Sequence, residues 1–212
     1  MISPKQALLG GLGVATIIGG GFGTSYLLQD KTIKDKLIRG GATIIELDDD
    51  YEIVFREFKG TESFINLVKT KVSTITNSSP DNVGGPALKQ WCEEKLQLAL
   101  TKENIDNNFA NTKQYCSKTL FTIEDKMKKD KKQLATDWDA QFAKLKTPPQ
   151  NTELQTDLSA LNNAINAIDD QHKEAIKTAL QTWCSSKIKT PLTKDISLWT
   201  KIDNRCLIAK VN

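Results

Sequence analysis

Ala87-Leu88-Lys89-Gln90-Trp91-Cys92-Glu93-Glu94-Lys95-Leu96 returns 92 residues later as Ala179-Leu180-Gln181-Thr182-Trp183-Cys184-Ser185-Ser186-Lys187-Ile188. Leu88, Trp91, Cys92 and Leu96 are spaced to share one face of an α-helix. Upstream of the copies stand Tyr51-Glu52-x-x-Phe55-x-x-Phe58-Lys59 and Trp138-Asp139-x-x-Phe142-x-x-Leu145-Lys146; downstream stand Cys116 and Cys206. A pattern that returns at a fixed spacing marks a repeat architecture. The expected fold is therefore all-α: two related small helical modules in tandem behind an N-terminal segment. Residues 1–29 are read as a membrane anchor or signal, 30–47 as a juxtamembrane connector, 48–125 as module 1, and 126–212 as module 2 with a basic linker helix.

Modules this small bury too little surface to be robust without staples. Four cysteines allow three pairings, and duplication of one stapled unit selects Cys92 with Cys116 and Cys184 with Cys206. Such bridges persist in an oxidising compartment. Four buried free thiols are the alternative. A metal site is disfavoured, because the chain has no Cys-x-x-Cys spacing and a single histidine. No metal and no cofactor is expected.

The net charge of +3 in 212 residues is not the footprint of a nucleic-acid binder. The dense run Lys126-Met127-Lys128-Lys129-Asp130-Lys131-Lys132 is interrupted by an acid and reads as the solvated face of a connecting helix.

From Gln6 to Gln29 there is no charged residue, and Ala7 to Leu28 is long enough to cross a bilayer core as a helix. It is expected to be an uncleaved single-pass anchor, with a cleaved signal peptide as the rival. Gly11, Ala15, Gly19 and Gly23 recur every four residues and would form a flat strip for close helix packing, including self-association. Orientation is contested. Lys31, Lys34, Lys36 and Arg39 after the segment, against Lys5 before it, favour a cytoplasmic body by the positive-inside rule, whereas the paired cysteines favour an extracellular one. The cysteines are given the greater weight.

In the body, Tyr51, Val54, Phe55 and Phe58 share one helix face behind the acidic start Asp48-Asp49-Asp50. A second helix is expected over Thr61 to Thr74. Gly84-Gly85-Pro86 reads as a break, with proline opening the Trp91 helix. Pro148-Pro149 is expected to stop the Trp138 helix, and Thr152-x-x-Gln155 to form a capping box. Leu154, Leu158, Leu161, Ile165, Ile168, His172, Ala175, Ala179 and Trp183 then follow heptad spacing, which predicts one long helix.

No phosphate-binding glycine loop, zinc-protease motif or nucleophile elbow occurs in the body. The lone His172 falls on the heptad seam, where a semi-buried structural role is expected. No catalytic residue is assigned, and the chain is expected not to be an enzyme.

The glycine-rich apolar N-terminus, Asp48-Asp49-Asp50-Tyr51, the Leu-x-x-Trp-Cys helix and the terminal Cys206-Leu207-Ile208 together resemble the paralogous families of uncharacterised membrane-anchored surface proteins of haemotropic mycoplasmas, wall-less bacteria attached to red blood cells. The resemblance covers most of the chain. It implies surface exposure and antigenic variety, with a host-surface partner of unknown identity, and carries over no functional residue. Two functions compete: a non-catalytic ectodomain anchored in the lipid bilayer, used for host contact or antigenic variation, or a membrane-tethered scaffold facing the cytoplasm that binds a helical partner.

Overall fold

Thr32 and Thr122 each open a helix with a reciprocal cap, and from these two caps onward the same contacts are made twice. Thr32 Oγ1 accepts from Asp35 N while the Asp35 carboxylate accepts from Thr32 N, at 3.2 and 2.9 Å. Thr122 and Asp125 do the same at 3.1 and 2.9 Å. A capping box satisfies two of the backbone donors that a helix start leaves open. The computed structural model describes residues 30–147 and 151–210.

The helices of the first half are α1 (Ile33–Arg39), α2 (Asp48–Phe58), α3 (Glu62–Lys69), α4 (Asp81–Leu96), a short α5 (Lys102–Asn104) continuing through a π-helical stretch at Ile105–Phe109, and α6 (Ala110–Cys116). The second half holds α7 (Ile123–Lys129), α8 (Trp138–Leu145), α9 (Asn151–Ser159), α10 (Lys173–Lys187) and α11 (Ser197–Cys206). Strands β1 (Lys132–Leu134) and β2 (Leu207–Ala209) pair antiparallel, with Gln133 opposite Ile208. The fold is thus mostly helical, with one small ladder that helical periodicity did not announce.

The hydrogen bonds repeat at offsets of 90 to 92 residues. Ile33 N donates to Leu98 O and Leu100 N to Lys31 O; Ile123 N donates to Thr190 O and Leu192 N to Phe121 O. Ile45 N donates to Cys116 O, and Ala135 N to Cys206 O. Gly41 and Lys131, 90 residues apart, both take positive φ, 83° and 53°. The stretch 30–47, expected as a connector, therefore carries a packed helix, α1, with Ile33 and Leu37 buried.

Two apolar clusters form, one around Phe55, Phe64, Leu88 and Trp91, the other around Phe142, Leu158, Leu180 and Trp183. Ile53 of α2 lies in the second cluster, so the halves share core. Residues from Lys31 onward form one compact unit. A disulfide joins Cys92 to Cys116, and another Cys184 to Cys206, with Cα separations of 5.5 and 5.7 Å.

Four expectations about local structure are corrected. The heptad series from Leu154 to Trp183 is not one helix: α9 stops at Ser159 and α10 begins at Lys173. Between them Ser159 Oγ donates to Thr156 O, and the Asn162 side chain accepts from Ala164 N. Side chains of this kind compete with the helical ladder for backbone groups. Of the series, Leu154, Leu158, Ile165, Ile168, Ala179 and Trp183 still enter the core, while Leu161 points out. Gln155 directs its amide to Asn166 O at 2.6 Å rather than closing a box on Thr152. The second predicted helix is also shorter than Thr61 to Thr74, ending at Lys69, where Thr70 Oγ1 bonds Leu67 O.

Gly84-Gly85-Pro86 does not break the chain either, since α4 runs through it from Asp81. A Cβ on Gly84 would lie 2.2 Å from the Phe55 ring, and one on Gly85 would lie 2.9 Å from Glu52 N. The glycines let α4 cross α2 at close range.

Among the described residues no helix is long and apolar enough to cross a membrane. The expected anchor at residues 7–28, with Gly11, Ala15, Gly19 and Gly23, lies outside the described residues, as do Pro148 and Pro149.

Candidate functional site: the junction between the halves

The C-terminal turn of α2 reaches across to the second half through two adjacent charged side chains. The Glu57 side chain is 5% exposed, and its carboxylate accepts from Lys126 Nζ at 2.5 Å and Lys129 Nζ at 3.3 Å. Arg56 Nε stands 3.3 Å from the same carboxylate, and its other two nitrogens donate to Lys194 O at 3.0 Å and Thr193 O at 3.2 Å. Lys126 and Lys129 are brought to one face of α7 by their three-residue spacing. Lys126 lies 4.7 Å above the Trp199 ring and Lys129 5.1 Å above Phe58. A cation over an aromatic face gains attraction from the ring quadrupole.

The lysine run is thus corrected from a wholly solvated face to one in which Lys126, Lys129 and Lys132 are half-buried and paired while Lys128 and Lys131 stay exposed. Lys126 also meets Asp130 at 2.9 Å, Lys128 meets Glu124 at 2.7 Å, and Lys132 pairs with Asp203. A cavity of about 400 Å³ opens beside this cluster, with Ile123, Leu192, Ile196 and Trp199 in its wall. The cations beside it are committed to Glu57, Asp130 and backbone carbonyls. The geometry joins two halves of one chain. Periodicity gave no hint of Glu57, Arg56 or Trp199, because the pairing spans 69 residues from Glu57 to Lys126.

A second internal correspondence sits over each tryptophan. Tyr115, one residue before Cys116, packs edge-on to Trp91 with centroids 6.4 Å apart. Arg205, one residue before Cys206, lies 5.1 Å from the Trp183 ring and pairs with Asp157 and Glu153. Both are nearly fully buried. A buried guanidinium needs such partners, since an unpaired buried charge is costly.

His172 is placed by its own turn. Asp169 caps the turn, accepting from His172 N at 3.1 Å and contacting His172 Nδ1 at 2.8 Å. The side-chain bond from His172 holds the Asp169 carboxyl below its usual range. Among the described residues no cluster of three or more histidine, cysteine or acidic side chains could hold a metal ion.

Tyr51 begins the buried face of α2, and its hydroxyl donates to Ile45 O at 3.0 Å. Burial, then the carboxylates of Glu93, Asp48, Asp50 and Glu46, push its phenol up to about 12 from 10.0. The folded chain therefore keeps a proton that the unfolded chain releases, and stability falls as pH rises from 10 towards 12. In denaturant titrations across this window, Tyr51→Phe is expected to have a flatter pH dependence than the parent. An unchanged slope would remove Tyr51 as its source.

No protein-family model, curated protein or solved structure matches the chain.

Proposed function

We propose that this chain is a surface-exposed, non-catalytic helical ectodomain, held to the cell membrane by its N-terminal segment and built by tandem duplication of one stapled unit. The observation that carries the reading is the matched pair of bridges, each fixing the end of a half onto its tryptophan helix, with separations of 24 and 22 residues. Disulfides of this kind persist outside the reducing cytoplasm. The hydrogen bonds repeated from Thr32 onward support duplication. Charged groups at the junction bind one half to the other, which suits a rigid display scaffold for host contact or antigenic variation. The resemblance to surface families of haemotropic mycoplasmas points the same way.

The cytoplasmic scaffold keeps the positive-inside count in its favour. Its proposed binding seam, however, is made largely of side chains that enter the core, such as Leu158, Ile165 and Ile168.

The test combines alkylation without reduction, peptide mapping and protease treatment of intact cells. Linked Cys92–Cys116 and Cys184–Cys206 peptides, with the body cleaved from outside, are the expected result. Four alkylated thiols and a protected body would overturn the reading and leave the scaffold in its place.

A further inference from the structure

The cavity at the junction sets exposed apolar side chains beside charges that satisfy one another. Ile196 is 52% exposed and Leu198 and Trp199 are only partly buried, yet all three line it together with Ile123 and Leu192. Ninety residues earlier, at the spacing that relates Cys206 to Cys116, Asp106 and Asn108 stand where the second half has Ile196 and Leu198. The Asp106 side chain is 56% exposed and pairs with Lys102. Packing within the chain therefore does not require apolar side chains at these two positions, and exposed ones on a concave wall favour an apolar guest. The charges narrow its chemistry. Arg56, Lys126 and Lys129 meet Glu57, and Lys126 and Lys129 also meet Asp130. Asp195 accepts from Ser197 N and Oγ, both at 2.8 Å. An entering carboxylate would draw the cations away from Glu57 and leave that buried side chain without its partners. An entering cation would face three groups of its own sign.

We propose that this cavity binds an uncharged, mainly apolar small molecule, seated on Ile196, Leu198 and Trp199 against the end of α2. The volume of about 400 Å³ falls within the range of roughly 300 to 1,000 Å³ usual for small-ligand sites. Apolar surface removed from water supplies the affinity, and a neutral guest leaves the Glu57 pairs intact. Arg56 and Gly60 belong to the first half and the apolar wall to the second, so the guest touches both and binding favours their docked arrangement. The inference goes beyond the ectodomain reading. Only the comparison of Ile196 and Leu198 with Asp106 and Asn108 rests on duplication.

The test uses two photoreactive probes that differ by one carboxylate, benzophenone and 4-benzoylbenzoate. Each is added during reconstitution of the full-length chain into phosphatidylcholine vesicles, so that it reaches both faces. Trypsin cuts after Lys194 and Lys201, which releases residues 195–201 as one peptide holding Ile196, Leu198 and Trp199. Labelling of this peptide by benzophenone is expected to saturate with concentration and to exceed labelling by 4-benzoylbenzoate about tenfold or more, because the anion must displace Glu57. Ile196→Asp, a change at an exposed side chain, is expected to abolish the saturable part, and Leu198→Asn to do the same. Peptide mapping of the bridges and circular dichroism verify that each variant is folded. Labelling of the parent that rises linearly, that both folded variants leave intact, or that 4-benzoylbenzoate matches overturns the proposal. Labelling that falls as protein concentration is raised at constant probe would put a second copy in the cavity and overturns it too. Correctly linked bridges in the same samples would leave the ectodomain reading standing.

Discussion

Replacing Cys92 and Cys116 together by alanine is expected to lower the unfolding free energy by about 3 to 4 kcal/mol, the loop-closure value for a bridge spanning 24 residues. The α6 end that the bridge holds is also anchored by packing and by backbone bonds. Tyr115 packs on Phe58, Phe64 and Trp91, and Cys116 O accepts from Ile45 N. Without the bridge the unfolded chain gains freedom, while these packing contacts remain to be formed. The matching change at Cys184 and Cys206 removes a bridge that closes a loop of 22 residues and is expected to cost the same within error. Each variant is also expected to unfold in a single transition, because Ile53 of the first half lies in the second core and Glu57 is held by Lys126 and Lys129. Urea denaturation followed by tryptophan fluorescence measures both quantities. A loss below about 1 kcal/mol would mean that the bridges add little to the packing, and two separated transitions would mean that the junction does not couple the halves.

The parts of the fold legible in the sequence are those fixed by local periodicity or by the repeat. Tyr51, Val54 and Phe55 declared the buried face of α2, and the Trp-Cys copies declared α4, α10 and their bridges. Illegible were the features decided by what approaches from elsewhere in the chain. Heptad spacing from Leu154 to Trp183 survives as burial but not as helix, because Asn162 and its neighbours bond locally with the backbone. Lys126 and Lys129 look like solvated surface until α2 brings Glu57 to them. The repeat itself held more than its aromatic and cysteine signature. Thr32 with Asp35 and Thr122 with Asp125 are the same cap, but two polar residues three apart are too common a pattern to stand out. Arg205 and Tyr115 occupy matching sites with different chemistry, so the two positions share their place over the tryptophan and not their side chain.

Gly84→Ala and Gly85→Ala are expected to destabilise the protein by about 1 to 2 kcal/mol each, because an overpacking cost of up to about 3 kcal/mol outweighs the gain of about 1 kcal/mol from alanine as the better helix former. The sign follows from what a methyl group meets. At Gly84 it meets three carbons of the Phe55 ring within 2.3 Å, and that ring is fully buried with Phe64 at 5.9 Å between centroids. At Gly85 the obstacle includes the Glu52 backbone, with N at 2.9 Å and Cα at 3.0 Å, so no rotamer change relieves it and the two helices must part. Parting α2 from α4 also draws Arg56 and Glu57 away from the junction, since they lie on the last turn of α2. Gly60 is the control. Nothing lies within 4 Å of a Cβ built there, so Gly60→Ala is expected to change stability by less than about 1 kcal/mol. Thermal and urea unfolding of the three variants separates the two explanations of the Gly84-Gly85-Pro86 sequence. If the glycines merely interrupt a helix, alanine at either position stabilises; if they admit the crossing helix, both substitutions destabilise and Gly60→Ala does not.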